Sequence, residues 1–511
     1  MKKRLLTILV LVFWAVPALA EIIADTSWVR RYNGPGNNED GAVAIAVDHS
    51  NNVYVTGWSI GSGTNWDYAT IKYYPNGDTA WVRRYNGPGN AVDEAHAIAL
   101  DSDGNVYVTG HSYDIGTSDD YTTIKYTTDG DTVWVRRYNG TGDSTDCALA
   151  IATDSLGNVY VTGYSYSSET YSDFLTIKYS SNGDVAWMES YNGQANWYDG
   201  AEGIALDGSG NVYVTGWSES FWGYDYLTIK YYANGDTAWV RRYNGPANWN
   251  DWAWTLTADG SGNVYVTGTS YGGSATDFDF ATIKYYSNGD TAWVRRFTGS
   301  VARMDYASEI AVDNFGNVYV SGWGWDDQTS YDYVTIKYYP NGDTAWMRRY
   351  TQPGTGGDYV SDIALDRYGN VYITGGSSGI HLDYATIKYS SNGDTVWVRR
   401  YNGTGNHTDY AIGITVDVSG NVYVTGGSDG NGTDYDYVTI KYPGALRGDT
   451  DRDGVIDLDD VVYLINYLYM NGYAPKPVEA GDTNCDGIVD VGDVIYLINY
   501  ILKGGPEPSC I

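Results

Sequence analysis

An eight-bladed β-propeller followed by a small helical module is the architecture this sequence predicts, and three observations predict it. The pentapeptide VYVTG, or a near variant, begins at Val53, Val106, Val159, Val212, Val264, Val318, Val371 and Val422, and a TIKY follows each, from Thr70 to Thr439. A repeat of about 53 residues made of short strands is the sequence form of a propeller blade. The second observation is register: Asp25 to Tyr32 reads as a fourth strand without its first three, and the last repeat stops at Tyr442. The N-terminal strand is therefore expected to complete blade 8. The third is the change after Pro443-Gly444, where aspartate-rich loops run into apolar helices.

In chain order, residues 1–20 read as a secretory signal peptide: Lys2, Lys3 and Arg4, then an apolar stretch from Leu5 to Val16, then Ala18-Leu19-Ala20. An exported, extracellular or cell-surface protein is expected. No later segment is apolar for the roughly 18 residues that a membrane helix needs. Residues 21–443 carry the eight repeats. Each offers four short strands, such as Ala95 to Leu100, Val106 to Thr109, Tyr121 to Tyr126 and Trp134 to Tyr138, rich in valine, isoleucine, threonine and aromatics. Asp101 to Asn105 and Asn76-Gly77-Asp78 mark the tight turns. Residues 444–511 form the second unit.

Charge excludes one class of partner. A net charge of −32 repels nucleic acid, and most lysines and arginines sit at repeated strand positions, the TIKY lysine and the WVRR or WMRR pair, where they read as blade-edge solubility and ion pairing. These repeats resemble the bacterial SBBP-type propeller repeats over residues 25–443. That family is usually seven-bladed; the count here is eight.

Loops that link one blade to the next, and strands two to three, share one face and carry nearly all the variation between repeats. Binding on a rigid scaffold belongs there. Eight tryptophans recur in the fourth strand as packing, but Trp197, Trp217, Trp222, Trp249, Trp252 and Trp254 gather on the variable face of blades 4 and 5, with Trp58, Trp66, Trp323 and Trp325 elsewhere on it. Aromatic faces among neutral polar groups suit a saccharide, so these six residues are the candidate ligand site and a neutral glycan the candidate ligand; loop packing is the alternative. Two rings of aspartates, Asp40 and Asp67 in blade 1 and their equivalents, read as turn caps and ion-pair partners. The acids that break the repeat, Glu94, Glu169, Glu202, Glu219 and Glu309, form no evident catalytic pair. His96 and His111 should lie nearly opposite on one hairpin, beside Asp93; such a pair is more often structural than a metal site, which is the alternative. No catalytic residue is assigned, and a protein that is not an enzyme is expected.

In the C-terminal unit, Asp449, Asp451, Asp453, Asp457 and Asp460 place oxygen ligands at positions 1, 3, 5, 9 and 12 of a calcium loop, with the Val455 carbonyl at position 7. Asp482, Asn484, Asp486, Ile488, Asp490 and Asp493 repeat the pattern. Two calcium ions are expected. Cys485 and Cys510 could pair within this small unit, leaving Cys147 as a buried thiol. The unit resembles a type I dockerin over residues 447–510. That resemblance implies a cohesin-like partner bound through the helices, although Leu458-Asp459 and Val491-Gly492 stand where the family carries small hydroxyl residues. The expected function is a secreted binding or scaffold propeller tethered through this unit. A polysaccharide-degrading enzyme and a purely structural envelope propeller are the alternatives.

Overall fold

The computed structural model describes residues 26–299, 303–352, 356–430, 432–444, 447–450, 456–475, 478–506 and 508. Residues 1–20, read from the sequence as a signal peptide, lie outside them. Eight four-stranded antiparallel sheets form the propeller, as the repeat implies. Blade 1 comprises Asp40–Val47, Val53–Ile60, Trp66–Tyr73 and Thr79–Tyr85. Its two middle strands are buried along nearly their whole length, because each sheet lies between two neighbours. A bulge interrupts the first strand between Ala42 and Ala44 and recurs at the equivalent place in the other blades, bending the strand nearest the axis.

The cores lie between blades. Tyr54, Tyr68 and Trp81 of blade 1 pack on Ala95, Val106, Val108 and Ile124 of blade 2. The Trp81 indole donates to the Thr128 carbonyl in the next blade's turn at 3.1 Å, and Lys72 donates to the same oxygen at 2.9 Å. Arg83 lies over the Trp81 ring at 5.6 Å and donates to the Gly130 carbonyl. Arg84 instead pairs with Asp67 of its own blade at 2.8 Å. The repeated bases thus do more than keep the rim soluble: one arginine and the lysine clamp the neighbouring blade. The first aspartate ring caps turns as expected, Asp40 accepting from the amides of Gly34 at 2.6 Å and Ile60 at 3.1 Å.

Blade 3 is the exception. Its outer strand, Val185–Tyr191, carries Glu189 and Ser190 where other blades carry the arginine pair, so the arginine part of the clamp is missing and the Trp187 indole and Lys178 alone reach the Ala233 carbonyl among the described residues, at 3.2 and 3.1 Å. Asp173, left without a guanidinium, is pushed up to about 6 by burial.

Ring closure follows the expected register. Trp28–Tyr32 pairs antiparallel with Asp434–Tyr442, Trp28 opposite Lys441 and Tyr32 opposite Tyr437. Trp28 then clamps the Pro75 carbonyl of blade 1 at 3.0 Å, and Arg31 pairs with Asp436 at 2.9 Å.

The C-terminal module contains helices α1 (Leu458–Tyr469) and α2 (Val491–Lys503), packed through Val461, Leu464, Val494 and Leu497. Asp457 and Asp490 cap them, each in a reciprocal box with Asp460 or Asp493. The Pro443-Gly444 junction does not leave this module separate from the ring. It docks beneath blade 7: Lys388, the TIKY lysine there, pairs with Glu479 at 3.0 Å, and Asn370 donates to the same carboxylate. Arg367 and Arg447 both hold Asp482, at 3.2 and 3.1 Å, and Tyr368 donates to it as well.

Removing the closing indole tests the ring. Trp28 is 6% exposed, so Trp28→Ala should cost about 3–5 kcal/mol in denaturant unfolding. Trp187→Ala, in the half-exposed seam of blade 3, should cost visibly less; equal losses would contradict the closure.

Candidate functional site

On the variable face, departures from the repeat fall at a few strand positions, and the fold brings them together. Trp217 meets Tyr224 edge-on at 5.2 Å, Tyr224 meets Trp252 at 5.9 Å, and Trp252 stacks near Trp254 at 6.3 Å. The chain of rings continues from Trp252 to Phe278 at 5.5 Å, Tyr306 at 6.0 Å and Trp323 at 4.1 Å, and ends at Tyr359, 5.6 Å from Trp323. The belt therefore runs over blades 4 to 7, and its rings are half-buried, with faces left for a ligand.

This divides the six sequence candidates. Trp217, Trp252 and Trp254 belong to the belt. Trp197, Trp222 and Trp249 do not; they are 39%, 68% and 53% exposed on the loops, and among the described residues Trp197 meets Phe221 alone among ring neighbours, at 6.0 Å. The single cluster expected on blades 4 and 5 is thus two separate sets, because Trp217, Trp252 and Trp254 are fixed within strands whereas Trp197, Trp222 and Trp249 stand on the connecting loops. Tyr306 and Tyr359 went unrecognised because tyrosine is so frequent here; their signal is position, since they align with Trp252 at the second residue of the first strand.

The repeat-breaking acids are not all dispersed. Glu309 and Asp362, at equivalent places in adjacent first strands of blades 6 and 7, face one another's charge. Burial raises both, Asp362 to about 7 despite amide donation from Ile363 and Ile414 at 2.7 Å each. The expectation of no carboxyl pair is corrected: Glu309 is recognised in the sequence as an acid that breaks the repeat, but Asp362, at the same first-strand place one blade on, was not set beside it. Glu202 accepts from the Trp217 indole at 2.9 Å, and burial lifts it to about 7.

A carboxyl raised on folding contributes stability that is fully present below its unfolded value and is lost as pH climbs through the folded one. Glu202→Gln keeps the Trp217 acceptor and removes the charge. Its melting temperature should match wild type near pH 4 and exceed it by about 2–4 °C at pH 8. A constant offset across that range would refute a buried acid.

His96 Nε2 lies 3.0 Å from His111 Nδ1, and Cys147 Sγ lies 3.5 Å from that same nitrogen. Asp93, the expected neighbour, is occupied instead by the Gly87 amide at 2.7 Å. Burial holds His96 at about 3 and His111 at about 4, with the charge of His111 adding to the effect on His96.

In the second loop of the C-terminal module, Asp482 Oδ1 accepts from the Asp486 amide at 3.1 Å and Asp493 Oδ1 from the Asn484 amide at 3.0 Å. Asp486 and Asp490 accept from Ile488 and Gly492 in turn. Gly487, at φ +88°, makes the sharp turn that position 6 requires. All-oxygen donors on a closed loop fit a hard cation. In the first loop Asp460 accepts from Thr450 and Asp457, repeating the arrangement; Asp451, Asp453 and Val455 lie outside the described residues. Cys485 is disulfide-bonded. Cys510, its candidate partner, also lies outside them.

A cavity of about 610 Å³ opens on the opposite, tight-turn face, lined by Asp48, His49, Lys72, Asp101 and Asp154 of blades 1 to 3. Sequence variation pointed away from it.

A family model described as a β-propeller repeat, SBBP, matches residues 80–115, 133–169, 195–220, 292–327, 345–382 and 396–432. The chain carries SBBP β-propeller repeats. No curated protein matches it. Among solved structures, Sqt1 from Chaetomium thermophilum is similar at 10% identity and a TM-score of 0.52, covering 84% of this chain and 99% of that one. A polysaccharide lyase, Uly1, aligns at 13% identity and a TM-score of 0.43 over 71% of this chain and 92% of that one. A periplasmic gluconolactonase from Pseudomonas aeruginosa, PpgL, aligns at 11% and 0.43 over 73% and 98%. Such identities show the fold alone. The expectation that the chain is not an enzyme is nevertheless corrected: a β-propeller fold by itself gives no ground for excluding catalysis.

Proposed function

We propose that the protein is a secreted propeller that binds saccharide on its aromatic belt and is tethered to a protein partner by a calcium-dependent, dockerin-like module. The observation that carries the reading is the unbroken run of rings from Trp217 to Tyr359. Sugar rings offer C–H faces to aromatic planes and hydroxyls to polar neighbours, and an extended belt suits a chain of sugars better than one unit. Another propeller of this similarity, Sqt1, was solved bound to the N-terminus of ribosomal protein L10; a bound segment is thus a use that propellers serve.

Tryptophan fluorescence during a screen of neutral glycans tests the belt. Trp252→Ala together with Trp323→Ala should weaken binding at least about tenfold, whereas Trp222→Ala with Trp249→Ala should leave it within about twofold. The reverse order would move the site to the loops, and no hit in the screen would reduce the belt to packing.

For the module, exposed apolar residues on both helices, among them Val462, Tyr469, Ile495 and Leu502, offer a partner surface of the kind a cohesin covers. Calcium would be held by Asp482, Asn484, Asp486, Asp490 and Asp493, with the Ile488 carbonyl, and by Asp449, Asp457 and Asp460 in the first loop. Bound calcium would neutralise these carboxylates and stiffen the loops. Calorimetry on the full chain should give affinities of roughly 0.1–1 mM. Asp486→Ala should abolish one of two sites, and chelator should speed hydrogen exchange in α2. Unaltered exchange would count against the calcium reading.

A second reading, acid–base chemistry at the axis, is favoured by the Glu309–Asp362 pair; Glu309→Gln should abolish any glycan cleavage found in the same screen.

A further inference from the structure

Three departures from an eight-fold repeat meet at one point. His96 occupies a position held by Val43, Leu149, Glu202, Trp254, Ser308, Ser361 and Ile412 in the other blades, and Cys147 one held by Gly41, Gly200, Trp252 and Tyr306 among others. His111 likewise replaces Trp58, Tyr164 and Trp217. Nothing in blade packing requires these residues at these places, since seven neighbours fold the same way without them. Yet their donor atoms lie within 4.8 Å of one another.

The spacing is close to that of a coordination shell, with the nitrogen pair a few tenths of an ångström short of it. A tetrahedral zinc with nitrogen at about 2.0–2.1 Å and sulfur at about 2.3 Å sets its ligand atoms about 3.3–3.6 Å apart. Here the nitrogen pair is 3.0 Å apart and the nitrogen–sulfur pair 3.5 Å. Imidazole and thiolate together select borderline ions over calcium or magnesium. The ligands also come from two blades, two from the second and one from the third, which gives a rigid, preformed site at their junction.

We propose that His96, His111 and Cys147 form a three-ligand site for a zinc-type divalent ion, bridging blades 2 and 3 on the variable face. Binding forms bonds from His96 Nε2, His111 Nδ1 and Cys147 Sγ to the metal; the thiol proton and the ion's displaced waters leave to solvent. Among the described residues no carboxylate oxygen joins this group, so the fourth position stays with water or an incoming ligand. Cys147 is 4% exposed, while both imidazoles keep part of their surface accessible, so the histidine side is the less enclosed approach for an ion. A site with three protein ligands and one exchangeable position can hold a substrate oxygen or activate water. It is independent of the oxygen-lined loops of the C-terminal module, which take a different class of cation.

Cobalt(II) is the probe, added to the purified, metal-free full chain with calcium in excess to occupy the oxygen loops. One equivalent should produce the intense visible bands of tetrahedral cobalt and a thiolate-to-cobalt charge-transfer band, both displaced by zinc. Cys147→Ser should lose the charge-transfer band, and His111→Ala both sets. Circular dichroism checks that each variant is folded. If a variant fails to fold, elemental analysis of zinc retained by the wild type after dialysis decides: one equivalent supports the site and none overturns it. Absence of the thiolate band in folded wild type, or its persistence in Cys147→Ser, overturns the proposal outright.

Discussion

The reach of one indole into the next blade organises this ring. Among the described residues, seven of the eight fourth-strand tryptophans donate to a turn carbonyl of the neighbouring blade, and a third-strand lysine binds the same oxygen in each of those seven. In all of them but Trp187 an arginine stacked on the ring binds the same turn. Burial supplies most of the energy, and the hydrogen bonds fix the angle between sheets. Because the clamp lies outside the variable face, loops there can change without loosening the ring. Blade 3 shows how much is dispensable: with Glu189 and Ser190 in place of the arginines, the tryptophan contact still stands, but the aspartate inside the blade loses its partner.

Repetition explains what could be read in advance. Eight spaced copies of VYVTG announced the blades, and the stranded Trp28 to Tyr32 segment announced the closure, since a fourth strand with no predecessors has one place to go. Function was harder to see for the same reason. In a chain with 52 tyrosines, those of the belt look like all the others until the blades are overlaid and Tyr306 and Tyr359 fall on the same position as Trp252. Counting tryptophans favoured exposed loops and drew attention to Trp222 and Trp249, which stand apart from the belt. The histidine–cysteine cluster escaped because its third member belongs to the following repeat, and adjacency between blades cannot be seen along a single hairpin.

The module's docking was hidden by disguise rather than distance. Lys388 has the same sequence surroundings as every other TIKY lysine, yet it salt-bridges Glu479 of the module. Glu479 and Arg447 sit in irregular segments that have no repeat against which to compare them. Asp482 serves two ends at once: one oxygen is held by Arg367, Arg447 and Tyr368, the other by the loop itself. The shape of that loop and the seat of the module are therefore mechanically joined through a single carboxylate.

That seat also gives the molecule a direction. The module rests on the turns of blade 7, Arg367 to Asn370, whereas the aromatic belt crowns the other side of the disc. Anything that grips the helices holds the disc from below, as a stem holds a dish, with the belt turned outward and parallel to the supporting surface. Neighbouring copies fixed in this way would present their belts in one plane, so a long polymer could lie across several at once and be retained by avidity where one belt alone would let it go.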